Sequence, residues 1–167
     1  SIHVELGMHC VDCHFDQDAH GNGYLEGEVA NAIEIRCVDC HGTPDAYPTL
    51  RTSGPAAPPG GRDLSKLRTQ DGRLRFEWKG SECDRPVTES RDCKLYQRSA
   101  LSPDLVWEMH TVKDSVDPTK AIYNPKAARA KLMSMRADQA WGPGVKPEDR
   151  AHKTNEMECY TCHLSWT

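Results

Sequence analysis

The chain of 167 residues is poor in the side chains that usually form a protein interior. Hydrophobic residues make up 37% of it and aromatic residues 7%, and the mean hydropathy is −0.72. A domain of this length normally buries a larger apolar core. The sequence also has no apolar run long enough for a transmembrane helix and no signal-peptide core. We therefore expect a processed mature protein, or a piece of a larger one, with no transmembrane segment.

The chain also lacks an excess of positive charge. Lys and Arg number 21 against 25 Asp and Glu, which gives a formal net charge of −4. An acidic surface argues against binding to nucleic acid. Partners that dock electrostatically should present basic patches.

Cysteine and histidine, in contrast, are abundant and recur in one motif. The motif Cys-x-x-Cys-His occurs as Cys10-Val-Asp-Cys13-His14, Cys37-Val-Asp-Cys40-His41 and Cys159-Tyr-Thr-Cys162-His163. This motif is typical of c-type haem attachment, in which both thiols bond to haem vinyl groups and the adjacent histidine ligates the iron. The sequence predicts three covalently attached haems.

A Cys-x-x-Cys pair can also form a redox dithiol or half of a zinc site. A redox dithiol is expected once, in a βαβ setting that this chain does not show. A zinc site takes two pairs per ion, so three pairs would leave one over. Neither reading explains why histidine follows the second cysteine each time.

Haem also accounts for the shortage of apolar residues, because its macrocycle is a large flat apolar body. We expect a single trihaem cytochrome domain over residues 1–167, haem-dominated and mostly loop, with a few short helices and one small β-hairpin. Residues 42–158 carry no motif and form a long insertion. The simplest fold returns the third motif beside the first two.

Of the eight cysteines, Cys83 and Cys93 lie outside the motifs. We expect them to form a disulfide rather than to stay as free thiols, because c-type haem is attached outside the cytoplasmic membrane, where disulfides persist.

Three local signals predict secondary structure in the insertion. Asp71-Gly72 predicts a hairpin turn within residues 64–78, with Leu67 opposite Phe76. Helix starts are predicted at Ser102-Pro103, with apolar residues recurring to Val116, and at Asn124-Pro125, before a helix over 126–137.

Each iron also needs a distal ligand if it only transfers electrons. Five histidines lie outside the motifs, and three of them are expected to serve: His3, His9, His20, His110 and His152. His3 and His152 each stand seven residues before the first cysteine of a motif, in the shared frame His-x-x-x-x-Met-x-Cys. This surplus favours six-coordinate irons.

The residues resemble those of multihaem c-type cytochromes, especially the large periplasmic or extracellular ones of metal-respiring bacteria. Met8-His9-Cys10-Val-Asp-Cys13-His14-Phe15, Asp18-Ala-His20-Gly-Asn22-Gly23 and the two later motifs carry the likeness. The resemblance implies that His14, His41 and His163 are proximal ligands, that distal histidines come from elsewhere in the chain, and that the haems stack closely. The family usually carries motifs more densely than residues 42–158 do, which favours a piece of a larger cytochrome.

The predicted function is electron transfer between redox partner proteins, mainly other cytochromes, rather than catalysis. One alternative is a small multihaem reductase of nitrite, hydroxylamine or sulfur oxyanions, which would need one open iron. Another is a structural subunit of a self-associating cytochrome filament.

Overall fold

A computed structural model describes residues 2–81, 83 and 93–163, and in these residues the protein combines short helices with one small sheet. The helices are α1 Ile2–Glu5, α2 Cys10–Cys13, α3 Asp16–His20, α4 Cys37–His41, α5 Val112–Val116, α6 Pro125–Lys131 and α7 Tyr160–His163. The strands are β1 Phe76–Lys79, β2 Lys94–Arg98 and β3 Val106–Met109. Single 3-10 turns lie at Val29–Ala32, Leu64–Lys66 and Pro147–Asp149.

None of the helices in the described residues is long and apolar enough to cross a membrane.

The sheet is antiparallel, with the strand order β1-β2-β3. Its register aligns Trp78 with Leu95 and Leu95 with Met109, and all three side chains are buried. Because side chains alternate between the faces of a strand, Phe76 shares this buried face with Trp78. The sheet therefore presents one apolar face to the interior.

Most of the apolar core lies against this face and comes from the motif-free insertion. Its buried members are Phe15, Cys40, Tyr47, Leu50, Leu64, Phe76, Trp78, Leu95 and Met109. Phe15 and Cys40 belong to the first two motif segments, so these segments are attached to a core made of side chains. A second cluster joins α5 and α6 through Val116, Ala128, Leu132 and Val145. That haem dominates the interior remains a prediction.

The predicted hairpin over 64–78 has the wrong register. Its turn lies at Asp71-Gly72, but the backbone N–H of Thr69 bonds to the carbonyl of Arg73 at 2.9 Å, which makes a three-residue loop. Gly72 has φ 84°, the left-handed conformation that such a loop requires at its last position. Leu67 then accepts from the N–H of Arg75, while Phe76 joins β1 and pairs with β2.

The helix predicted from Ser102-Pro103 is also wrong in its first part. Residues 106–109 form β3, which pairs with β2, and the helix α5 begins only after Thr111, whose side chain accepts from the N–H of Asp114. Leu105 and Met109 fit a helical period, but pairing with β2 decides the conformation of β-forming Val106 and Trp107.

The start signal at Asn124-Pro125 is confirmed. The Asn124 side chain accepts from the N–H groups of Lys126 and Ala127, and Pro125 takes the first helical position. The helix ends at Lys131, six residues before the predicted end at 137. The predicted disulfide is also present and joins Cys83 to Cys93, whose Cα atoms are 5.7 Å apart.

Candidate haem-binding site

All three Cys-x-x-Cys-His motifs fold as single helical turns: α2, α4 and α7. Residues three apart on a helix are neighbours on its surface, so each turn presents its two cysteines on one side. The histidine follows at the end of the turn. Each Cys-x-x-Cys-His motif is therefore a structural unit as well as a sequence pattern.

Asp12 holds the first motif against the sheet. It is fully buried and its carboxylate accepts from the N–H of His9 at 2.9 Å and from that of Ala100 at 2.7 Å. Its own carbonyl accepts from the side chain of Gln97 at 2.6 Å. The Arg75 guanidinium lies 3.6 Å from the carboxylate and balances its charge. These contacts fix the position of α2.

Asp39 has the same position in the second motif and makes equivalent bonds. It accepts from the N–H of Arg36 at 2.7 Å, and from the N–H and hydroxyl of Ser53 at 2.9 and 2.6 Å. The third motif has Thr161 at this position, so it lacks this anchor. The anchoring role of Asp12 and Asp39 was not predicted from the sequence, although the Val-Asp pair shared by two motifs was a visible signal.

The histidines of the first two motifs, His14 and His41, each have a hydrogen-bond partner at Nδ1. His14 Nδ1 lies 2.8 Å from a carboxylate oxygen of Asp18, and His41 Nδ1 lies 2.8 Å from the carbonyl oxygen of His110. A metal-bound histidine typically donates its other ring N–H to such an acceptor, which fixes the tautomer. Both rings thus keep Nε2 available for an iron, and the donor set fits c-type haem.

Burial lowers the pKa of His41, and the charges of His3, His110 and His163 lower it further, against the opposing effect of the bond to the His110 carbonyl. At neutral pH the ring is therefore in the neutral form that binds metals. His163 closes α7 with its side chain exposed.

The three motifs lie side by side, as the sequence analysis expected. The thiols of Cys37 and Cys159 lie close enough to perturb each other's pKa, and this proximity joins the second motif to the third. Cys13 lies close enough to Cys40 for their charges to interact, which joins the first to the second. The second motif is therefore the central one.

The free thiols of the motifs differ in acidity. Burial raises the pKa of Cys40 and that of Cys13. The hydrogen bond from Cys37 lowers the pKa of Cys159 to about 6. At neutral pH, Cys159 therefore has more thiolate character than Cys13 or Cys40.

Two ion pairs hold the segment of the third motif in place. Arg36, directly before the second motif, pairs with Glu158, directly before the third. Arg150 forms a bidentate pair with Asp45, at 2.6 and 2.9 Å. Between these pairs lies a cavity of about 430 Å³, whose lining includes Cys159.

The chain segments before and after the first motif expose many apolar side chains. Of the twelve large hydrophobic side chains that are exposed in the described residues, seven lie between residues 2 and 29: Ile2, Val4, Leu6, Val11, Tyr24, Leu25 and Val29. Clustered exposed apolar residues mark binding surfaces. A porphyrin attached at α2 would find apolar contacts here.

The five remaining histidines occupy different places. The His3 ring faces that of His41, with centroids 5.9 Å apart and planes 32° apart. The carbonyl of His110 is hydrogen-bonded to Nδ1 of His41, and the side chain of His110 is 64% exposed. His9 precedes α2 as its N-cap, His20 ends α3, and His152 is half-buried before the third motif.

Within the described residues, no group of three or more His, Cys, Asp or Glu side chains converges to hold a bare metal ion. A haem iron needs only axial ligands from the protein.

Comparison with family models, with curated proteins and with solved structures gives no match to this chain.

Proposed function

We propose that the protein is a trihaem c-type cytochrome that transfers single electrons between redox partners. Haem bound at each motif would supply an iron that alternates between the ferric and ferrous states. The observation that carries the proposal is that the three motifs lie together: the ion pair of Arg36 with Glu158 joins the second motif to the third, and Cys13 lies close to Cys40. Motifs that meet in this way would bring their cofactors within reach of one another.

The proposal assigns a role to each of these residues. The paired cysteines of each motif form the thioether bonds, and His14, His41 and His163 are the proximal ligands. Asp18 and the His110 carbonyl hold two of these rings in the tautomer that leaves Nε2 free. Asp12 and Asp39 fix α2 and α4 relative to the core, and with them the spacing of the first two cofactors.

The same proposal covers location and partners. Attachment of c-type haem and a disulfide between Cys83 and Cys93 both favour a periplasmic or extracellular protein. The net charge of −4 favours partners with basic docking surfaces, such as other cytochromes.

Haem counting tests the proposal. The chain is produced in a host that attaches c-type haem, and the intact mass and the haem absorbance per chain are measured. We expect three haems per chain, and two in each variant that has one motif's cysteine pair replaced by serine. The matched control is the Cys83→Ser/Cys93→Ser variant, which removes a pair outside the motifs and should keep three haems. Counts that do not follow the motifs would contradict the proposal.

Ligand binding separates electron transfer from the reductase alternative. If all three irons are six-coordinate, added cyanide or carbon monoxide should leave the absorbance spectrum largely unchanged. Ready binding at one haem in three would indicate an open iron and favour a reductase.

A further inference from the structure

We infer that His3 is the distal ligand of the iron held by the second motif, Cys37-Val-Asp-Cys40-His41, although His3 precedes the first. This inference rests on the proposed function and adds to it a specific axial pair, His3 with His41. The main observation behind this inference is that the His3 and His41 ring centroids lie 5.9 Å apart.

That separation matches two imidazoles on one metal ion. Metal–imidazole nitrogen bonds are about 2.0 Å long, and the ring centroid lies about 1 Å beyond the nitrogen. Two rings on opposite sides of one ion then have centroids about 6 Å apart. The observed separation of 5.9 Å is close to this value.

The hydrogen bond of His41 and the roles of its neighbours show which other histidines are unsuitable as the distal ligand of the second haem. An iron would bind at Nε2 of His41. The His110 backbone lies on the opposite side of the ring, because its carbonyl is hydrogen-bonded to Nδ1. His163 is also close to His41, but it is the proximal residue of the third motif. His3 is the remaining histidine in this neighbourhood.

The segment that carries His3 is positioned by contacts other than His3 itself. The indole N–H of Trp107, on β3, donates to the carbonyl of Leu6 at 2.9 Å. Gly7 then turns the chain with φ 86° toward the first motif. The sheet therefore holds α1 beside α4, and a substitution at position 3 should leave the segment in place.

The first test replaces His3 with glycine in the holoprotein. In His3→Gly, low-temperature EPR of the oxidised protein should show one high-spin haem in three, and the reduced protein should bind one carbon monoxide per chain. Added imidazole should restore the low-spin state. The control is Val4→Ala, an exposed neighbour on the same helix, which should keep three low-spin haems.

A double variant identifies the haem concerned. When Cys37→Ser/Cys40→Ser removes the second haem, adding His3→Gly should create no high-spin signal, because the iron that His3 serves is gone. A high-spin signal in this background would assign His3 to another haem and overturn the inference. Three low-spin haems in the single variant His3→Gly would also overturn it, but would leave the proposed function intact. A wild-type chain without haem would refute both.

Discussion

The thiols of Cys37 and Cys159 lie close enough to perturb each other's pKa, although one opens the second motif and the other opens the third. The insertion between these motifs thus returns the chain to its starting region. Because Cys40 also lies near Cys13, the motifs follow the order first, second, third in space. An electron relay through them would have the second haem at its centre and the other two at its ends.

The buried carboxylate of Asp12 should be a major source of stability. Asp12→Ala leaves Arg75 buried without its counter-charge and removes the acceptor for two backbone N–H groups. We expect a loss of about 3–5 kcal/mol in the free energy of unfolding, measured by denaturant titration of the holoprotein. The control Asp104→Ala removes an exposed partner of Arg73 and should cost at most about 1 kcal/mol. Equal losses in the two variants would contradict the assigned role of Asp12.

Asp18 should tune the reduction potential of the first haem. Its carboxylate accepts from His14, which makes the ring a stronger donor and stabilises ferric iron. Asp18→Asn removes the negative charge and should raise one of the three midpoint potentials, by up to about 59 mV if the effect on the one-electron equilibrium is tenfold. Spectroelectrochemical titration measures this shift.

The control for that experiment is Asp16→Asn, which alters a highly exposed carboxylate on the same helix. It should shift the potentials much less. Three unchanged potentials in Asp18→Asn would show that the bond to His14 does not influence the iron.

The ion pair of Asp45 with Arg150 should make stability depend on acidic pH. The hydrogen bond from Arg150 lowers the pKa of Asp45 below its ordinary value of 3.8. A carboxyl whose pKa is lower in the folded state stabilises the protein above the unfolded pKa and loses this contribution as the pH falls through the folded pKa. The effect is at most about 1 kcal/mol, because the Asp45 side chain is 54% exposed.

Comparison of wild type with Asp45→Asn checks this dependence. The difference between their free energies of unfolding should be present at pH 7 and should shrink as the pH falls below about 4. A difference that stays constant from pH 7 to pH 3 would contradict the role assigned to the pair.

The disulfide should contribute to stability without affecting haem content. Cys83 and Cys93 close a loop with a sequence separation of 10, for which chain entropy predicts roughly 3 kcal/mol. Cys83→Ser/Cys93→Ser should therefore lower the free energy of unfolding by about this amount, measured under non-reducing conditions. An unchanged unfolding curve would show that the loop is held by other contacts.

Features that depend on short sequence signals were predictable. The bond between Cys83 and Cys93 and the cap at Asn124 were predicted, because they follow from cysteine pairing and from residues close together in the sequence. The Asp71-Gly72 turn was also located correctly, but its register was not. The hydroxyl of Thr69 accepts from the N–H of Arg73, and this side-chain bond favours the three-residue loop.

Features that depend on distant partners could not be predicted. Residues 106–109 fit a helical period as well as a strand, and only pairing with β2 decides between them. The anchoring role of Asp12 depends on Arg75, Gln97 and Ala100, which lie far along the chain. The approach of His3 to His41 likewise depends on the contact between Trp107 and Leu6.

The most direct test of the central claim is quantitative low-temperature EPR of the oxidised wild-type holoprotein, with spins counted per chain. Three covalent haems with two axial ligands each should give three low-spin ferric signals and no high-spin signal. A chain without ferric haem signals would contradict the assignment of the motifs. A high-spin signal from one haem would contradict an electron-transfer protein with closed irons.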